Sequence, residues 1–326
     1  MLLKNSIIII VFFILGQTLK AQDLKTDISV HDPVIIKQDS LYYIFCTGNG
    51  ISNWSSVDRI HWKREKPVFA TAPTWVKDFL PDFKNYIWAP DISYYKGLYY
   101  LFYSVSAFGK NTSAIGLATN TTLHPGNADY KWVDRGQIIR SVPGQTNWNA
   151  IDPNVVTDDK GNPYLVFGSF WDGIKLVKLQ KDRLGLAENV ATIPTIASRK
   201  RSGNAIEAPF ISRHDKYYYL FASIDYCCQG SKSTYKMIVG RAENIKGPYL
   251  DKDGVAMSSG GGSILLEGDK DWYGVGHNGV ATFDGDDYVI FHGYDAADRA
   301  IPKLRLARLS WVGNWPEINK NDLTKQ

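Results

Sequence analysis

Three carboxylates, a tryptophan and a histidine recur at nearly one distance from a repeated landmark in this 326-residue chain. The landmark is an aromatic run closed by phenylalanine, at residues 41–45, 98–102, 163–167, 217–221 and 287–291, each with a tyrosine three places before the Phe. Counted back from those phenylalanines, Asp32 lies 13 residues upstream, Trp88 14, Asp152 15, Glu207 14 and His277 14. Carboxyl groups in one cavity divide into a proton donor and a base when their surroundings push their pKa values apart. Two of them flanking a sugar linkage suffice to hydrolyse it: one protonates the leaving oxygen, the other acts on water or on the anomeric carbon. A third acid nearby keeps the donor's pKa up by like-charge repulsion and orients it.

For this chemistry the side chains must converge, and the repeat supplies the means. Successive landmark phenylalanines are 57, 65, 54 and 70 residues apart, so one supersecondary unit recurs with loops of variable length, the mark of a stacked or radial architecture. Radial repetition brings equivalent positions to one end of a central channel. Short apolar and aromatic runs bounded by Asn, Asp, Gly and Pro predict many antiparallel strands in an all-β chain, with turns at Lys96-Gly97, 159–163 and 284–286. Asp32 precedes Pro33, Asp152 precedes Pro153 and Glu207 comes two before Pro209. Proline is tolerated where a strand begins and pins the backbone there. A single Asp-Pro need only start a strand and cap a turn; three acids in register across a repeat ask for more.

Residues 1–22 read as a secretory signal: Lys4, an apolar run over 7–15 and a small residue, Ala21, for cleavage. The run is shorter than the roughly 20 residues a bilayer requires, and no cysteine follows it to accept a lipid. A retained anchor is the alternative. The expectation is a protein secreted or periplasmic, off the membrane after cleavage, with residues 23–326 forming one catalytic domain and acting as a monomer. The net charge of +4 falls to about +2 without Lys4 and Lys20, and Arg199-Lys200-Arg201 is the one basic cluster, so nucleic acid is not expected as a partner. Aromatic content of 13%, with 19 Tyr and 10 Trp, supplies flat apolar faces for the core and for stacking on sugar rings. Three cysteines do not make a disulfide framework: Cys46 reads as a buried apolar residue, and Cys227-Cys228 as either a bridge between neighbours or two free thiols.

His31-Asp32-Pro33-Val34, Trp88-Ala89-Pro90-Asp91-Ile92, residues 104–109, Ala150-Ile151-Asp152-Pro153-Asn154, Ile206-Glu207-Ala208-Pro209 and Gly276-His277-Asn278 together resemble glycoside hydrolase family 43, more narrowly its endo-α-1,5-L-arabinanases. The resemblance runs from about Val30 to Trp315. It implies a five-bladed β-propeller that cleaves internal α-1,5-linked arabinan with inversion, Asp32 matching the general base, Glu207 the general acid and Asp152 the acid that tunes and orients it. It also implies a calcium or other cation in the channel beside His277, with waters completing a weak site for a hard cation. Trp88 and Phe108 match aromatic sugar contacts; Asn154, Ser169 and Trp171 are expected as further polar and stacking contacts. His31 is expected to orient or pack near Asp32, and His292 to sit in the core. Two alternatives stay open: an exo-acting α-L-arabinofuranosidase or β-xylosidase on the same fold, and a non-catalytic glycan-binding propeller, which has no need of three acids.

Overall fold

The computed structural model describes residues 24–25 and 27–319; the expected leader, 1–22, lies outside the described residues. Five antiparallel sheets of four or five strands follow one another along the chain. Their innermost principal strands are Val34–Gln38, Tyr86–Tyr95, Asn154–Thr157, Ile206–His214 and Trp272–Phe283. Each meets the next around a ring, and the fifth meets the first. The chain is thus the five-bladed β-propeller that the repeat and the resemblance predict.

Each aromatic run is the second strand of its blade: Leu41–Cys46, Leu98–Val105, Pro163–Phe167, Tyr217–Ile224 and Asp286–Asp295. Neighbouring blades cover both faces of these strands, so they read as unbroken apolar runs instead of alternating with polar residues. In the first blade Tyr42 and Ile44 pack with Phe283, Ile290 and Leu306 of the fifth. Tyr43 and Phe45, pointing the other way, pack with Leu101 and Tyr103 of the second. The remaining three interfaces hold clusters of the same kind. All five landmark phenylalanines are fully buried, each contributing about 1.5–3 kcal/mol.

The hairpins follow their turn residues. Lys96 and Gly97 have φ of 47° and 85°, and Asp284 and Gly285 55° and 89°, the paired positive angles that let a two-residue turn match the twist of its strands. The ring is closed by its ends. Val30 N donates to Pro302 O at 3.3 Å and Leu304 N to Ile28 O at 3.1 Å, and Lys303 Nζ lies 2.6 Å from Asp27 Oδ2.

Cys46 is a buried free thiol. Cys227 and Cys228 are joined as a disulfide, which decides between the two forms their adjacency allowed. Among the described residues no helix is long and apolar enough to cross a membrane.

Candidate active site

Asp32, Trp88, Asp152, Glu207 and His277, one from each blade, line a single cavity of about 1100 Å³. The backbone puts them there with a shared device. Asp32, Ala89, Asp152, Ala208 and His277 all have left-handed φ, at 53°, 41°, 57°, 52° and 54°. In the second, fourth and fifth blades this coincides with a break in strand register after Trp88, Glu207 and Gly276. In the first and third the acid lies just ahead of its strand. Such a kink re-aims a side chain, and for residues other than glycine it costs on the order of 1–3 kcal/mol.

Hydrogen bonds from the preceding blade offset that cost. Two residues past each landmark Phe stand Thr47, Ser104, Ser169 and Ser223. Thr47 Oγ1 accepts from Ala89 N at 2.8 Å, Ser104 Oγ from Asp152 N at 3.0 Å and Ser223 Oγ from His277 N at 2.8 Å. Ser169 Oγ instead donates to Glu207 Oε2 at 2.8 Å. In the fifth blade that position is Gly293, and the neighbouring His292 Nδ1 accepts from Asp32 N at 3.2 Å. The kinks are tied blade to blade around the whole ring.

Asp32 is the most heavily partnered of the acids. Its Oδ1 lies 2.8 Å from His31 Nδ1 and 3.0 Å from His277 Nδ1, and its Oδ2 accepts from Thr47 Oγ1 at 2.5 Å. Burial by itself raises its pKa, but the charges and hydrogen bonds of His31 and His277 outweigh burial and hold it well below the ordinary carboxylate range. It is a carboxylate at any pH near neutrality.

Asp152 and Glu207 go the other way. Burial, then the charges of Glu207 and Asp32, lift Asp152 to about 8 against the opposing pull of His277. Glu207 is raised chiefly by burial and also by Asp32, while Ser169, Tyr235 and His277 pull it down. Asp152 Oδ2 accepts from Ala208 N at 3.0 Å, so it grips the peptide immediately after Glu207. One cavity therefore holds an ionised carboxylate and a pair of carboxyls that resist ionisation, which is the division a base and a donor require.

His277 sits between the two sets. Burial lowers its pKa, but the charge and hydrogen bond of Asp32, then the charges of Asp152 and Glu207, raise it to about 9. The side chains whose ligand atoms gather closely enough to hold a metal ion are His31, Asp32 and His292, within 4.8 Å of one another; a second group, His31 with Cys227 and Cys228, lacks thiolates while the disulfide is closed. Among the described residues His277 belongs to neither group.

The expected substrate contacts divide. Trp88, Phe108 and Trp171 line the cavity, Phe108 with 79% of its surface exposed, where it is open to stacking. Ser169 also lines it, yet spends its hydroxyl hydrogen on Glu207, so it acts on the acid before any sugar. Asn154 is a correction: it is buried away from the cavity, its Nδ2 donating to Asp91 Oδ1 at 3.1 Å and its Oδ1 accepting from Ile211 N at 2.9 Å. Held at both ends of its amide and absent from the cavity wall, it joins the second, third and fourth blades. Asp91, raised to about 7 by burial, completes that strut. Thr47, Tyr86 and Tyr226 are site residues that sequence reasoning missed. The Phe-plus-two hydroxyl repeat is a signal that finds Thr47; the two tyrosines lie on loops or strand ends with no equivalent in other blades.

The family model for Glycosyl hydrolases family 43 matches residues 26–316. The chain is 48% identical over 305 residues to the extracellular exo-α-(1→5)-L-arabinofuranosidase ArbA of Cellvibrio japonicus, covering 91% of this chain and 88% of that protein. It is 44% identical over 291 residues to the extracellular endo-α-(1→5)-L-arabinanase 1 of Bacillus subtilis, covering 88% and 87%. Among solved structures it superposes on Cellvibrio cellulosa α-L-arabinanase complexed with arabinohexaose with a TM-score of 0.87 and 47% identity, over 91% of this chain and 97% of that one.

Proposed function

The chain belongs to glycoside hydrolase family 43, and from that membership we propose that it is a secreted, single-domain enzyme, residues 23–326, that hydrolyses internal α-1,5-L-arabinofuranosidic linkages of arabinan with inversion. The observation that carries the reading is the electrostatic split within one cavity, Asp32 held ionised by two histidines while Glu207 is raised by burial. Asp32 takes a proton from the attacking water. Glu207 gives one to the leaving oxygen; since Ser169 donates to Oε2, the transferred proton sits on Oε1. Asp152 fixes the backbone beside the donor through Ala208 N and, once it is ionised, makes loss of the remaining Glu207 proton harder. Trp88, Phe108 and Trp171 offer faces to the sugars on either side.

The substrate assignment draws on the relatives named arabinanase and on the arabinohexaose bound to one of them. Exo action is the second reading, favoured by the 48% identity to an exo-arabinofuranosidase. Incubation with linear arabinan separates them: mixed oligosaccharides at early times are the expected result, and a single small product from the first minutes would establish exo action. NMR of the newly formed anomer is expected to show inversion; a retained configuration removes the mechanism.

We further propose a hydrated cation, calcium by resemblance, beside His277. His277 Nδ1 is engaged by Asp32, so Nε2 is the nitrogen that would hold the ion, with water in the remaining positions. Bound there, the ion would supply positive charge next to Asp152 and Glu207. One imidazole fits a weakly held ion and not a buried calcium cage. Because the ring otherwise keeps its proton up to about 9, binding is expected to release protons. Dialysis against a chelator should lower both Tm and kcat, with calcium restoring them; no change in either removes the ion from the account.

A further inference from the structure

His31 contacts Asp32 through Nδ1, and the other nitrogen of its ring, Nε2, lies 2.9 Å from the hydroxyl of Tyr294. Tyr294 Oη also accepts from the backbone N of Cys228 at 2.8 Å. The Sγ of Cys228 approaches the same His31 Nε2 at 3.8 Å, and this sulfur is bridged to Cys227. A chain of contacts thus runs from a loop at the cavity rim to the carboxylate at its floor. Its direction follows from the donors. A phenolic oxygen that accepts from a peptide N–H has its own hydrogen to give, and His31 Nε2 at 2.9 Å stands in reach to accept it, beside the Ser233 hydroxyl, whose own hydrogen goes to Tyr226 O. An imidazole accepting at Nε2 carries its proton on Nδ1, the nitrogen that faces Asp32.

Two further features hold this chain in place. The His31 ring stacks on His292 with centroids 3.9 Å apart, which fixes its plane, and His292 Nδ1 in turn accepts from Asp32 N. Cys228 has φ of 65°, a left-handed conformation that a cysteine seldom adopts alone and that its bond to the adjacent residue retains. Tyr294 is buried, and burial raises the pKa of its hydroxyl, so the hydrogen is there to be donated.

We propose that Tyr294, seated by the Cys227–Cys228 loop, is a positioning residue for the catalytic base: it sets the tautomer of His31 and thereby the orientation of Asp32. The inference rests on the assignment of Asp32 as base. It makes the disulfide a functional part of the site. Reduction by a dithiol such as dithiothreitol breaks the S–S bond, leaves a thiol on each of Cys227 and Cys228, and oxidises the reagent to its cyclic disulfide. That frees Cys228 to turn its N–H away from Tyr294.

The test compares wild type and Tyr294→Phe on linear arabinan, each before and after reduction with dithiothreitol, with Asp32→Asn as control. Tyr294→Phe is expected to lose about tenfold to a hundredfold in kcat, as for a reacting group held out of place, with KM within twofold and Tm retained. Reduction is expected to lower kcat of the wild type severalfold and to add nothing in Tyr294→Phe, since both act through one chain of contacts. A Tyr294→Phe enzyme with wild-type kcat, or a reduction effect that adds to the substitution, overturns the proposal. Should the variant not fold, the wild type decides: long-range ¹H–¹⁵N spectra, read where the His31 ring is neutral, are expected to show its proton on Nδ1, and the opposite tautomer overturns the proposal. Near-normal kcat in Asp32→Asn overturns the base assignment instead, a separate result.

Discussion

Asp32→Asn and Glu207→Gln are each expected to lower kcat on linear arabinan by about 10²–10⁴-fold, the usual worth of a positioned acid or base, with Tm little changed in Glu207→Gln and lowered in Asp32→Asn, whose amide nitrogen cannot accept from the partners of the carboxylate. The two losses differ in kind. Glu207 is the group raised chiefly by burial and assigned to the leaving oxygen. An aryl arabinoside, whose phenolate departs without a proton, should therefore recover most of the activity lost in Glu207→Gln. It should recover none in Asp32→Asn, because the attacking water still lacks its base. Recovery in Asp32→Asn and not in Glu207→Gln would exchange the two roles.

The second large effect is expected at Asp152. Its carboxyl, lifted to about 8, and that of Glu207 titrate as an interacting pair, so their apparent values belong to the pair. Activity needs Glu207 protonated, and each carboxyl makes loss of the other's proton harder. The alkaline limb of the pH–rate profile thus records the departure of the pair's protons. Asp152→Asn keeps an acceptor for Ala208 N but removes the second ionisable carboxyl, so the repulsion that holds the pair's last proton is gone and Glu207 loses its proton at lower pH. The alkaline limb of kcat/KM is expected to move to lower pH, with kcat at the optimum reduced roughly tenfold to a hundredfold by the weaker hold on the Glu207 backbone. The acid limb, set by Asp32 under His31 and His277, should shift far less. An alkaline limb that stays in place or moves upward would show that Asp152 does not tune the donor.

What the sequence made legible is what repeats. Five aromatic strands, their spacing and the offsets of Asp32, Trp88, Asp152, Glu207 and His277 survive in the linear string because each blade buries both faces of its second strand and kinks its first at one height. The spread of those offsets from 13 to 15 reflects the kink, which falls before the strand in two blades and inside it in three. Departures from the repeat were not legible. Asn154 has the residue type of a sugar contact, and only the positions of Asp91 and Ile211 reveal that both ends of its amide are taken. Ser169 lines the cavity as expected but points its hydrogen at Glu207, a matter of side-chain direction that no spacing records. The sequence places His31 beside Asp32, but its partner Tyr294 stands 263 residues away, beyond the reach of any local pattern.

The clasp between the first and last blades has one more consequence. Ser29 and Pro302 are 273 residues apart in sequence, and bringing such distant points together costs about 5 kcal/mol of chain entropy. Nothing repays that debt until the intervening blades have stacked. Asp32 stands three positions from Ser29, on one side of this seam with His31, and His277 and His292 stand on the other, so the carboxylate acquires those two imidazoles only as the circle shuts. Assembly and completion of the site are then a single event: a chain with four blades stacked and the circle still open already has much of its core, and a carboxylate still without its fifth-blade partners.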